Sequence, residues 1–204
     1  MIKILTELQS IAQTGLFYSK DQYDTERYQR LNEIVAGLLS QNSSISLENI
    51  LSQFKIELGH ATPKVDVRGA LFVDNKIVLV REKEDGKWAL PGGWADVNFS
   101  PAENIAREIK EESGYEVQVS KLIGIYDKSK ANSDKSWPYA YKIFFLCEPL
   151  SRDEVNNLDE REIFEVSSFA QDEIPELSEG RVNKEQIKHC FDHFSNRSLL
   201  PYFD

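Results

Sequence analysis

The sequence predicts an α+β fold, a mixed-sheet domain preceded by a small all-helical domain. Residues 1 to about 58 repeat apolar side chains at helical spacing, and "GHATP" (Gly59 to Pro63) breaks that pattern. After Pro63, runs of alternating and β-branched residues separated by turn signals take over. Strands and helices then mix without a regular βαβ alternation, which argues against a doubly wound parallel sheet. We place the helical domain at residues 1–62 and the mixed domain at 63–204.

The chain's 204 residues, with 41% hydrophobic and 28% charged residues, suffice for one ordinary domain with a small appendage. "IKILTELQSIAQTG" carries Ile2, Ile4, Leu5, Leu8, Ile11 and Ala12 at helical spacing, with Gly15 as its expected stop. "DTERYQRLNEIVAGLLSQ" repeats the pattern, with Asp24 or Thr25 as its expected cap, and "SLENILSQF" opens at Ser46. "VDVRGALFV" and "KIVLVRE" read as strands joined at Asp74-Asn75. "KWALPGGWADV" is a strand running into a Pro-Gly-Gly turn. "EVQVSKLIGIYD", "AYKIFFLCEPL" and "EIFEVSSFA" read as further strands, and "NKEQIKHCFDHFS" as an amphipathic helix.

The net charge of −10 lowers the odds of a broad polyanion surface, so nucleic acid is a disfavoured partner. Cys147 and Cys190 are too few for a disulfide scaffold, and Cys147 lies in an apolar run. The first residues carry a charge within their apolar stretch and no run approaches a membrane span, so a cytoplasmic setting and no membrane partner are expected.

The informative segment is "SPAENIAREIKEESG", Ser100 to Gly114. Ser100 as N-cap, Pro101 at the first helical position and Glu103 three residues after the cap form a capping box. Gly114 supplies the left-handed stop. On this helix Glu108, Glu111 and Glu112 stand at i, i+3 and i+4, sharing one face. Like charges at that spacing repel by about 0.2–0.5 kcal/mol per pair. Glu111 and Glu112 also oppose the helix dipole, and Arg107 offsets only part of this. A bare acidic stripe is more often a solvated face. Here Gly92 and Gly93 precede it, where backbone can approach a ligand closely, and three carboxylates suit a hard divalent cation, Mg²⁺ or Mn²⁺.

From Gly93 onward these residues resemble the Nudix box, G-x5-E-x7-R-E-U-x-E-E-x-G-U, where U is bulky and apolar. Arg107-Glu108-Ile109-Lys110-Glu111-Glu112-Ser113-Gly114-Tyr115 keeps its core, while Phe99 stands where the box has its first Glu. The resemblance implies that Arg107 lacks its usual acidic partner, for which Glu103, one turn away, could partly substitute. It covers residues 63–204 and implies a mixed β-sheet sandwiched between helices. It also implies hydrolysis of a nucleoside diphosphate linked to X, with more than one Mg²⁺ or Mn²⁺ ion held by Glu108, Glu111 and Glu112. The catalytic base is one of these glutamates or a later acid. Glu162 is a candidate, weighed against an exposed strand-edge charge. Arg81 is a candidate phosphate contact, weighed against a surface salt bridge.

The helical domain before "PGGWAD", together with the ending "DEIPELS…R…QI", resembles a subgroup that includes CDP-choline and ADP-ribose hydrolases. The expected reaction is CDP-choline to CMP and phosphocholine. ADP-ribose hydrolysis, an RNA-end activity and a non-catalytic nucleotide-binding regulator are the alternatives. Apolar faces on the first two helices predict a homodimer. Trp94, Trp137, Tyr139 and Tyr18 are candidates for base stacking, each weighed against packing, and Lys128 to Tyr139 is a candidate substrate lid.

Overall fold

The computed structural model describes residues 1–43, 45–131, 138–150 and 163–204. These fall into two compact units, Met1–Lys64 with 132–140, and Val65–Ala131 with Tyr141–Asp204.

The first unit contains α1 (Ile2–Tyr18), α2 (Gln22–Asn42) and α3 (Leu47–Ile56). Ile2, Leu5, Val35, Ala36, Leu39, Ile50 and Phe54 form its core. Helix α1 does not stop at Gly15 as expected. It runs on to Tyr18, and Gly15 packs against Tyr28, whose ring a Cβ there would meet at 2.4 Å. That glycine serves close helix approach and not termination. Helix α2 starts before the expected caps, at Asp21, whose carboxylate accepts the Asp24 N–H. Ser46 caps α3 through the Asn49 N–H. Ile4, Ile11, Ile34 and Leu38 remain exposed.

The second unit is built on a mixed seven-stranded sheet. Its strands are β1 (Lys64–Val73), β2 (Lys76–Glu82), β3 (Trp88–Ala89), β4 (Val117–Asp127), β5 (Ala140–Pro149), β6 (Ile163–Phe169) and β7 (Tyr202–Phe203). They run in the order β3-β2-β1-β5-β4-β7, and β6 pairs antiparallel with β2. Asp74 and Asn75 both adopt positive φ, 49° and 63°, as a two-residue hairpin with the strands' twist requires. Helix α4 (Pro101–Ser113) covers one face of the sheet, where Ile105 and Ile109 meet Val67, Leu71, Val78 and Cys147. Helix α6 (Lys184–Ser195) covers the other, where Ile187, Cys190 and Phe191 meet Ala70, Phe72, Ile77, Leu79, Phe144 and Leu146. The sheet is therefore sandwiched between helices. The short α5 (Lys128–Ala131) and the two-residue β7, parallel to β4, have no counterpart in the sequence reading.

Candidate active site

The acidic helix is seated before its carboxylates are placed. Ser100 accepts the Glu103 N–H, and Glu103 reaches back to the Ser100 N–H at 2.8 Å. This closes the capping box and commits Glu103, so it does not substitute as a partner for Arg107. That partner is Asp96, whose carboxylate binds the guanidinium, while the Phe99 ring lies 4.9 Å beneath it. Phe99 thus supports the arginine with its π face where a carboxylate was expected. Asn104 fastens the same loop. Its Oδ1 accepts the Asp96 N–H at 2.9 Å, and its Nδ2 donates to the carbonyls of Asp96 and Phe99. Neither Asn104 nor Asp96 was singled out in the sequence, because side-chain-to-loop bonds carry no periodic signature.

The Pro-Gly-Gly segment lies along the start of β1. Gly69 N–H donates to Pro91 O at 3.0 Å and Val67 N–H to Gly93 O at 2.8 Å. Gly92 has φ +133°, and a Cβ there would stand 2.0 Å from Val67 O, so only glycine fits. Its N–H donates to Glu112 at 2.7 Å. A Cβ on Gly93 would stand 3.3 Å from a Glu108 oxygen. The two glycines let the backbone close onto the acidic stripe.

The three glutamates occupy different environments. Glu112 is only 7% exposed. Burial pushes its carboxyl up to about 8; Arg68 and the Gly92 N–H oppose this, while Glu108 and Glu82 add to it. Glu108 is raised by burial and then by Glu111. Glu111 is exposed, with Arg107 Nε 3.6 Å from its carboxylate. Among the described residues, no three acidic, histidine or cysteine side chains are drawn around a common point. The donor set nevertheless fits a hard divalent cation. It is all oxygen, and Glu108 and Glu112 crowd like charge into a site that burial makes costly for anions.

Arg68, which the sequence reading passed over, is buried behind the stripe. It grips Asp66 through two bonds of 2.9 and 3.0 Å and donates to Leu90 O at 3.1 Å. Burial opposes its charge, but Asp66, Glu112 and Glu82 together hold it well above the usual range. The signal available was a lone arginine inside an apolar strand run, "VDVRGALFV".

Arg81 donates to Gly86 O at 2.9 Å, pairs with Glu165 and lies over Phe164 at 5.3 Å, the surface arrangement weighed against phosphate binding. Tyr139 belongs to the helical unit, and its carbonyl accepts the Lys64 N–H. Tyr18 is exposed at the end of α1. Trp137, Glu162 and most of the expected lid lie outside the described residues.

Residues 63–190 match the family described as the NUDIX domain, and residues 1–54 match the description "UDP-X-like, N-terminal oligomerisation domain". A Bacillus subtilis (strain 168) protein, provisionally named an ADP-ribose pyrophosphatase, is 37% identical over the full length of both chains. The chain belongs to the Nudix family. It is a Nudix hydrolase of the pyrophosphatase class. A crystal structure described as UDP-X diphosphatase resembles this Nudix chain with a TM-score of 0.62 and 35% identity, covering 100% of this chain and 97% of that one. A second, an ADP-ribose pyrophosphatase from Streptococcus suis, has a TM-score of 0.62 and 37% identity, covering 70% of this chain and 100% of that one. Among the described residues, no helix is long and apolar enough to cross a membrane.

Proposed function

We propose that this Nudix protein is a divalent-metal-dependent pyrophosphohydrolase that cleaves a nucleoside diphosphate linked to a sugar into a nucleoside monophosphate and a sugar phosphate, with ADP-ribose as the first substrate to test. The observation that carries this reading is the bond from the Gly92 N–H to the buried Glu112, which joins the glycine segment to the acidic helix. The relatives' names move ADP-ribose ahead of CDP-choline, and a UDP-linked sugar is the next candidate.

Glu108, Glu111 and Glu112 would hold Mg²⁺ or Mn²⁺, more than one ion. Such ions neutralise phosphate charge and lower the pKa of a bound water. The protein's own residues supply position. Gly92 fixes the direction of Glu112, Asp96 and Phe99 hold Arg107 over the stripe, and Arg68 provides a buried counter-charge. Diphosphate cleavage needs in-line placement and charge neutralisation more than covalent assistance, which suits a site rich in oriented charges. Residues 63–204 are the catalytic domain in this reading. Residues 1–62 build a homodimer through the exposed apolar residues of α1 and α2.

The test is a product screen with Mg²⁺ or Mn²⁺ over ADP-ribose, CDP-choline, UDP-sugars, nucleoside triphosphates and a short RNA. AMP with ribose 5-phosphate is expected, and Glu111→Gln should abolish it while the fold is kept. Intact substrates throughout, with nucleotide still bound, would overturn the reading in favour of a binding protein.

A further inference from the structure

Beyond the acidic helix, the second unit contains a group of charged side chains that the box does not explain. Along β1, Ala70 and Phe72 face the α6 layer. By strand alternation, Arg68 and Asp66 continue that face toward the strand start. On the neighbouring strand β5, Leu146 and Phe144 face the same layer, and the next position on that face is Lys142. The apolar layer therefore ends in three charged side chains, all buried. Lys142 Nζ donates to Gly180 O at 2.8 Å and to Arg181 O, which ties the turn before α6 to the sheet. Burial pushes this amine down to about 7; Asp66 favours its charge, and Arg68, Lys128 and Arg181 oppose it.

Two further residues adjoin the group. Trp94 forms an isolated antiparallel bridge with Asp66. Lys128 follows the last residue of β4, and its Nζ lies 5.7 Å from the Trp94 ring centroid, so the pair meets across β1 and β5. Burial lowers Lys128, with Arg68 and Arg181 adding to the effect and Asp66 opposing it. Arg68 is matched by Asp66, so Lys142 and Lys128 are what this group adds in positive charge, in a chain whose net charge is −10. Trp94 still keeps 46% of its surface open. It follows Gly93, on which a Cβ would stand 3.3 Å from a Glu108 oxygen, so this segment of backbone runs beside the acidic stripe.

We propose that Trp94 and Lys128 form a nucleotide-recognition pair: the open face of Trp94 takes the planar base, and the Lys128 ammonium takes a phosphate oxygen of the same nucleotide. The proposal rests on the pyrophosphatase reading for its ligand class, a nucleoside phosphate. An aromatic face stacks any base, and a positive charge beside it selects the phosphorylated form. Arg68, which fixes Asp66, and Lys142, which fixes the turn before α6, hold the framework behind the pair and are positioning residues.

The test is calorimetric binding of AMP, UMP, adenosine and uridine to the full chain in chelator, read separately from turnover. Trp94→Ala should weaken nucleosides and nucleotides alike by about tenfold, and Trp94→Phe should recover most of this. Lys128→Gln should weaken AMP and UMP by about tenfold and leave the nucleosides unchanged, with Lys128→Arg close to wild type. Wild-type affinity for AMP and UMP in both Trp94→Ala and Lys128→Gln would overturn the pair. So would equal losses of nucleoside and nucleotide in Lys128→Gln. Hydrolysis assays on the same proteins keep the two ideas apart. Turnover of ADP-ribose with unchanged KM in the variants sinks only the pair, whereas selective nucleotide binding without turnover sinks only the pyrophosphatase reading.

Discussion

Glu112→Gln should move stability and activity in opposite directions. Glu112 is buried, accepts one backbone N–H, and holds its proton up to about 8, against an ordinary value of 4.5. A glutamine has the same shape and keeps a carbonyl to accept the Gly92 N–H, but it carries no charge. Because the folded-state pKa is the higher one, the folded protein binds more protons between those two values. The stability contribution of the protonated form is complete below pH 4.5 and is lost as pH rises through about 8. The loss is about 3–5 kcal/mol, or roughly 10 °C in melting temperature for a protein of this size. In chelator, wild type and Glu112→Gln should therefore melt together at pH 5, and the variant should melt about 10 °C higher at pH 9. Adding Mg²⁺ or Mn²⁺ should stabilise the wild type more at pH 9 than at pH 5, leave the variant unmoved and restore no turnover to it. Thermal melts across pH, with and without metal, decide this. Identical pH profiles for the two proteins in chelator would refute the reasoning, since they would mean that Glu112 carries its charge at no cost in the fold.

Gly92→Ala places a methyl group 2.0 Å from Val67 O at φ +133°, so a stability loss of about 2–4 kcal/mol in denaturant titration is expected. Phe99→Glu should change stability by no more than about 1 kcal/mol, because Arg107 already has Asp96 as its ion partner. Asp96→Asn should lower turnover more than Phe99→Glu does, and kcat for the two variants side by side checks the order. Sedimentation should show the unaltered chain as a dimer and Ile4→Glu/Ile11→Glu as a monomer, since both side chains are exposed on α1.

Much of the frame was legible because it is periodic or locally encoded. The 3.6-residue rhythm marked α1, α2, α3 and α6, strand-like runs marked β1, β2, β4, β5 and β6, and a cap, a proline and a terminal glycine marked α4. The acidic stripe was visible for the same reason, since helical spacing alone puts Glu108, Glu111 and Glu112 on one face. Gly15 misled because a glycine that ends a helix and one that admits a neighbouring ring read identically in one dimension. The Arg107 partner misled because the nearest acid in sequence, Glu103, was already committed to its own cap, while Asp96 is brought in by a loop.

What the sequence determined by itself was the set of elements and the identity of the acidic helix, because hydrogen bonding and amphipathicity act over a few residues. Only the tertiary structure decided which glutamate is buried, that Phe99 supports Arg107 through its ring, and that Arg68, Lys128, Lys142 and Trp94 gather from two strands, the start of a short helix and a loop. Burial and electrostatic coupling depend on distances through space, and residues far apart along the chain acquire those distances only when the sheet and its two helical layers close around them.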